Sequence, residues 1–153
     1  MLIRSASLED FEELYSIGIN TPELKVSASE EFMDAEEFRW SIQNPHGIFL
    51  LAENDKPAKK IAGFVYANAK DTLERPLENK YACLVYLVVV PEFRQQGIAK
   101  QLYTECERRL KETGITNLYG WAHAEGESNI IEFMKRQGFA EGHRYVWMDK
   151  KIS

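Results

Sequence analysis

The run Tyr86-Leu87-Val88-Val89-Val90-Pro91-Glu92-Phe93-Arg94-Gln95-Gln96-Gly97-Ile98-Ala99-Lys100 decides how the rest of the chain is read. An apolar, β-branched stretch stops at a proline, a short polar turn follows, and a glycine opens an amphipathic segment. This is the pattern of a strand leading through a tight turn into a helix. Such a turn presents backbone N–H groups at the positive end of the helix, where a phosphate or diphosphate is favoured. No Gly-Lys-Ser/Thr follows and there is no Gly-x-Gly-x-x-Gly, so neither the phosphate-loop NTPase nor the dinucleotide fingerprint applies.

What remains is Arg94-x-x-Gly97-x-Ala99, with Leu87-x-Val89-x-Pro91 before it. The pattern resembles the acetyl-CoA signature of the GNAT N-acetyltransferase superfamily, Gln/Arg-x-x-Gly-x-Gly/Ala after a strand ending in Val-x-Pro. The order of elements on either side also fits, so the resemblance covers nearly the whole chain.

Composition sets the outer limits. At 153 residues, 44% of them apolar and 12% aromatic, the chain reads as one globular domain spanning residues 1–153. No window approaches the roughly 18 apolar residues of a membrane span. An acidic amphipathic segment follows the first residues at once, which is unlike a signal peptide. Cys83 and Cys106 fall inside a strand and a helix and read as free thiols in a reducing, cytoplasmic setting. A net charge of −5 argues against nucleic-acid binding and mildly favours a cationic acceptor such as an amine.

Taken in order, residues 2–5 read as a strand. Ser7, with Asp10 behind it, caps a helix that carries Phe11 and Leu14 and fades near residues 18–22. A second helix starts at Asp34 with Phe38 and Ile42 on its buried side, and breaks at residues 44–47. Residues 48–53 and 61–67 read as antiparallel strands, residues 68–80 as a loop or lid, and 81–90 as a central strand buried on both faces. Ile98, Leu102, Cys106 and Leu110 form the apolar stripe of a helix over 97–113, with Gly114 as its C-cap. A strand at 118–122, parallel to the central one, precedes a loop and a helix over 128–137. Phe139 opens a closing strand and 145–152 forms the last, paired with it as a hairpin. The expected architecture is α/β (α+β): a single mixed, largely antiparallel β-sheet of six to seven strands with helices on both faces. The resemblance implies the acyl-CoA N-acyltransferase fold.

The same resemblance implies what the residues would do. The loop residues Arg94, Gln95, Gln96, Gly97, Ile98, Ala99 and Lys100 would hold the diphosphate of acetyl-CoA, chiefly through main-chain amides. The backbone of Leu87, Val88 and Val89 would bond the pantetheine arm as an added strand, where the fourth and fifth strands splay apart, and one of its N–H groups would stabilise the oxyanion. The family's base is often a strand glutamate, but here Tyr86 stands before Leu87 and Ala122 ends the next strand. His123 and Glu125 are the nearest titratable groups, and His123 has the better matched pKa. The family's proton donor is a tyrosine in the last helix. Counting back from Gly138-Phe139 places Met134 there and Glu127 at the family's asparagine, with Asn129 two residues on as the cofactor-contacting alternative. Either Tyr86 or Tyr145 would then supply the hydroxyl, or the thiolate would leave unassisted, as a thiol pKa near 8.5 allows. Phe32, Phe38 and Trp40 are either acceptor-pocket walls or plain core. No metal is called for. The implied activity is acetyl transfer from acetyl-CoA to a primary amine by direct attack, the alternative being a non-catalytic acyl-CoA sensor of the same fold. The acceptor, and the choice between monomer and homodimer, stay open at this level.

Overall fold

The computed structural model describes residues 1–28, 30–69, 79–124 and 129–153. Its sheet has five strands in the order β1 (Leu2–Ser5), β2 (Gly47–Asn54), β3 (Lys60–Ala69), β4 (Tyr81–Val89) and β5 (Asn117–Gly120). β1 to β4 run antiparallel to their neighbours, and β5 runs parallel to β4. The parallel step follows from the helical crossover between those strands, α3 (Ile98–Glu112).

Two cores lie on opposite faces of the sheet. On one, the stripe Ile98, Leu102, Cys106 and Leu110 of α3 packs on Leu50, Val65, Ala67 and Leu84, and Met134 of α4 (Ile130–Arg136) joins them. On the other, α1 (Phe11–Ile19) and α2 (Ala35–Gln43) cover an aromatic layer of Phe11, Phe38, Phe49, Phe64 and Tyr66. Even spacing along the strands sends alternate side chains to the two layers. All three tryptophans, Trp40, Trp121 and Trp147, stand at the surface.

Local signals explain the ends of the elements. The Ser7 N–H donates to Asp10 Oδ2 at 2.8 Å in a 3-10 turn that leads into α1, and Asp34 Oδ2 accepts from the Glu37 N–H at the start of α2. Gly114 takes φ +87° just beyond α3, the left-handed conformation that ends a helix. Arg4 clamps β1 to its neighbours: Nη2 reaches Asp10 Oδ1 at 2.8 Å and the buried Glu53 Oε2 at 2.7 Å.

Three expectations need correction. Among the described residues the sheet has five strands, not six or seven, because residues 139–153 form neither the closing strand nor the hairpin. Beyond Phe139 that segment is exposed and touches the domain through Glu141, paired with Lys135, and Tyr145, whose ring stands 6.2 Å from Trp121. The central strand is not buried throughout either. Val85, Tyr86, Leu87 and Val89 are half-buried, because β5 covers only the first part of β4. The expected lid loses Asn68 and Ala69 to β3, and its positions 70–78 lie outside the described residues, as do Glu125 and Glu127. Among the described residues no helix is long and apolar enough to cross a membrane.

Candidate active site

The site begins where two strands part. β4 and β5 pair from Tyr81↔Asn117 to Leu84↔Gly120, and no pairing continues beyond. A bulge in β4 opposite Tyr66 and Ala67 turns the strand at this point. Residues 85–89 therefore keep β3 on one flank, while the other flank faces no strand among the described residues. Gly120 sits at the apex, where a Cβ would come within 2.9 Å of the Leu84 carbonyl oxygen. An extended, amide-bearing ligand could add to the open flank as a strand would.

The turn after β4 leads directly into the start of α3. The Val90 N–H donates to Ala62 O at 2.9 Å and fixes the end of the strand, and Pro91–Phe93 makes one 3-10 turn. Gln95 (φ +63°) and Gly97 (φ +78°) are both left-handed, which turns neighbouring amides toward one side. α3 starts at the next residue, so the amides of its first turn lack intrahelical partners. A Cβ on Gly97 would meet nothing within 4 Å. The space beside Gly97 is open, and a shallow groove adjoins it, bounded by Gly97, Lys100, Gln101, Thr104 and Glu105 on the α3 side and by Ile3 of β1. These features fit a diphosphate held by main-chain donors.

The individual side chains divide by role. Ile98 and Val88 are buried in the two cores and can offer only backbone to a ligand. Gln95, Gln96 and Lys100 are exposed at the turn. Arg94 donates its Nε to the Val89 carbonyl at 3.0 Å, so its guanidinium also ties the turn back to the strand. Asn129 opens α4 and makes no side-chain capping bond.

Tyr86 faces the aromatic layer, with ring centroids at 5.5 Å from Phe32, 6.2 Å from Phe64 and Tyr66, and 6.3 Å from Phe38. Burial, then the Glu37 carboxylate, pushes its phenol well above the usual range, so it keeps its proton at neutral pH. His123 is exposed and lies beyond the end of β5, on the opposite arm of the opening. Trp40 is exposed, whereas Phe38 is fully buried core and Phe32 packs at 5.5 Å from Tyr86. Met134, at the family's tyrosine position, is buried beside Gly120. Cys106 is buried and its thiol is pushed up to about 12, chiefly by burial, which leaves it inert.

One polar group at the edge of the aromatic layer escaped the sequence reading. Asn44 Nδ2 donates to the Tyr66 hydroxyl at 3.0 Å and to Asn68 Oδ1 at 2.8 Å. The Asn44-Pro45 pair announced only a helix end.

With this geometry in place, comparison with known proteins is decisive for the family. The model described as "Acetyltransferase (GNAT) family" matches residues 9–139. The chain belongs to the GNAT family. Acetyltransferases of this family use acetyl-CoA. No curated protein matches the chain. Among solved structures, the tetramutant of the BH1408 protein from Bacillus halodurans is similar over 98% of this chain and 100% of its own, with 16% identity and a TM-score of 0.79. A transcriptional regulator from Bacillus halodurans C-125 is similar over 97% of this chain and 99% of its own, at 18% identity and TM-score 0.75. The aminoglycoside N-acetyltransferase AAC(6')-Iy, solved in complex with CoA, is similar over 99% and 100%, at 21% identity and TM-score 0.69. At these identities the likeness establishes the fold.

Proposed function

We propose that this GNAT protein is an acetyl-CoA-dependent N-acetyltransferase that delivers the acetyl group to a primary amine by direct attack. The carrying observation is the parting of β4 and β5 after Leu84 and Gly120, with a left-handed, amide-rich turn at the end of the same strand. One strand thus offers an open flank and a phosphate cradle together. Acetyl-CoA supplies an activated acyl group and a thiol leaving group with a reference pKa near 8.5.

The chain's own residues do the rest. Amides from Gln95 to Lys100 hold the diphosphate, and the backbone of Leu87 and Val89 aligns the pantetheine arm. Asn129 adds a side-chain contact. A lysine-type amine is neutral in roughly one molecule per few thousand at pH 7, so its proton must be removed for attack. His123 takes the ammonium proton before attack; as the C–N bond forms and the C–S bond breaks, a second proton leaves the nitrogen for the departing sulfur, which leaves as the thiol. Tyr86, protonated at neutral pH, donates a hydrogen bond to the departing sulfur. Attack is direct because Cys106 is inert and Cys83 lies in the paired part of β4, opposite Tyr119.

Calorimetric titration with CoA, beside a thiol-release assay over a panel of amines, tests this reading. Saturable CoA affinity, competed by CoA but not by ATP or NAD, and release on at least one amine are expected. Absence of saturable affinity overturns it. The second reading, an acyl-CoA-binding regulatory module, draws on Met134 at the tyrosine position and on the solved regulator of the same fold. Tight binding without release on any amine would favour it.

A further inference from the structure

The open flank of β4 can be approached from either face of the sheet. The diphosphate turn runs into α3, whose stripe covers one face, and that leaves the face of α1 and α2 for a second substrate. There the surface beside Tyr86 is aromatic and half-buried, with the Phe32 ring 5.5 Å from Tyr86 and the Tyr15 ring 5.6 Å from Phe32. Phe32 is held in place. The Tyr15 hydroxyl donates to the Met33 carbonyl at 3.0 Å, and a Cβ on Gly18 would come within 2.4 Å of the Phe32 ring.

Glu37 stands at the rim of this surface. On α2 it immediately precedes the fully buried Phe38 and lies one turn before the buried Ser41, at the margin of the packed face. Its carboxylate acts on the Tyr86 phenol, so the two groups are near neighbours. Other acids of the helix are engaged: Asp34 caps it, and Glu36 pairs with Arg39 at 3.1 Å. Glu37 has no ion pair among the described residues. A second acid on this side is also unmet. Glu23 Oε2, in the turn Pro22–Leu24, is buried with no hydrogen-bond partner among the described residues, and the adjacent Leu24 packs on the same aromatic layer. Carboxylates without counter-ions beside aromatic rings favour a cation.

We infer that Glu37 holds a charged group of the acceptor other than the nitrogen that attacks, so that the acceptor is a primary amine with a second cation at the far end of an apolar linker. On the acetyltransferase reading, on which this assignment depends, the attacking nitrogen must first shed a proton. A carboxylate beside that nitrogen would favour its charged form and oppose attack. His123, on the opposite arm of the opening, takes that proton, and Glu37 meets an ammonium that keeps its charge. The linker between them lies on the rings of Phe32 and Tyr86, which remove its methylenes from water. Trp40, three residues beyond Glu37 on the helix and 57% exposed, offers a ring face to the same cation. A monoamine of equal length has only the linker to bind with.

The probes are 1,5-diaminopentane and pentylamine, which share a linker and differ in the second charge. Each is titrated calorimetrically into the full chain in the presence of CoA, and each is assayed for thiol release from acetyl-CoA. The diamine should bind at least tenfold more tightly than pentylamine and show a KM lower by a similar factor at comparable kcat. Glu37→Gln should erase that preference, and Glu37→Asp should retain part of it. Glu37 is exposed, so circular dichroism and affinity for CoA should persist in both variants. Equal binding of the two amines overturns the inference, as does a preference for the diamine that survives Glu37→Gln. The binding measurement needs no turnover, so the two readings fail separately. A diamine preference lost in Glu37→Gln, with no thiol release on any amine, upholds the site and defeats the acetyltransferase reading. Thiol release on both amines alike, with equal binding, does the reverse.

Discussion

Leu84 and Gly120 are the last residues paired between β4 and β5, and there is no room between them for a side chain on Gly120. A Cβ there would lie 2.9 Å from the Leu84 carbonyl oxygen and 3.4 Å from its Cβ. The close contact at the apex sets the point from which the two strands diverge. Gly120→Ala is expected to destabilise the fold by roughly 1–3 kcal/mol, because backbone rather than a flexible side chain must move. Its affinity for CoA should fall as well. Denaturant titration and calorimetry on the same sample check both.

Gly97 separates binding from stability. Its φ of +78° strains any other residue, but the space beside it is open. Gly97→Val should therefore cost only about 1–2 kcal/mol of stability. It should raise the CoA dissociation constant at least tenfold, since the new side chain occupies the space in front of the amide donors. A folded variant with unchanged CoA affinity would show that the diphosphate sits elsewhere.

Arg4, Asp10 and Glu53 predict an acid limb in the stability curve. The Arg4 guanidinium holds the carboxyls of Asp10 and Glu53 below their usual range. Groups depressed in the folded state contribute stability above their unfolded values, near pH 4, and lose it as pH falls through the lowered folded values. Unfolding free energy should thus decline below about pH 4. Glu53→Gln should cost about 2 kcal/mol at pH 7 and give a shallower decline between about pH 4 and 2. Urea titrations across that range are the measurement.

Tyr86 and His123 predict opposite effects on the pH profile of turnover. Tyr86→Phe should lower kcat at least tenfold while leaving the acid limb in place, because the phenol stays protonated throughout. His123→Gln should remove the acid limb that protonation of a general base imposes on turnover. A profile unchanged by His123→Gln would assign the base to another group.

Much of the scaffold was legible because it is written in local patterns. The stripe Ile98, Leu102, Cys106 and Leu110 fixed α3, and Gly114 fixed its end. The turn at Gln95 to Gly97 was legible for the same reason, since a strand, a proline and a helix-opening glycine are neighbours in sequence. The divergence of β4 from β5 could be expected only through family resemblance, because strand pairing joins residues distant in the chain. The half-burial of Val85, Tyr86, Leu87 and Val89 follows from that divergence and was missed. Arg94 belongs to the loop expected to hold the diphosphate, and nothing nearby in sequence signals its bond to the Val89 carbonyl. Residues 145–152 have the composition of a strand, but composition carries no information about which sheet, or whose, a strand will join.

The surface placement of Trp40, Trp121 and Trp147 has an optical consequence. With no indole in either core, tryptophan emission should begin near the wavelength of a hydrated ring and shift little when the domain melts. Far-ultraviolet ellipticity, rather than indole emission, is therefore the signal that reports melting of this domain.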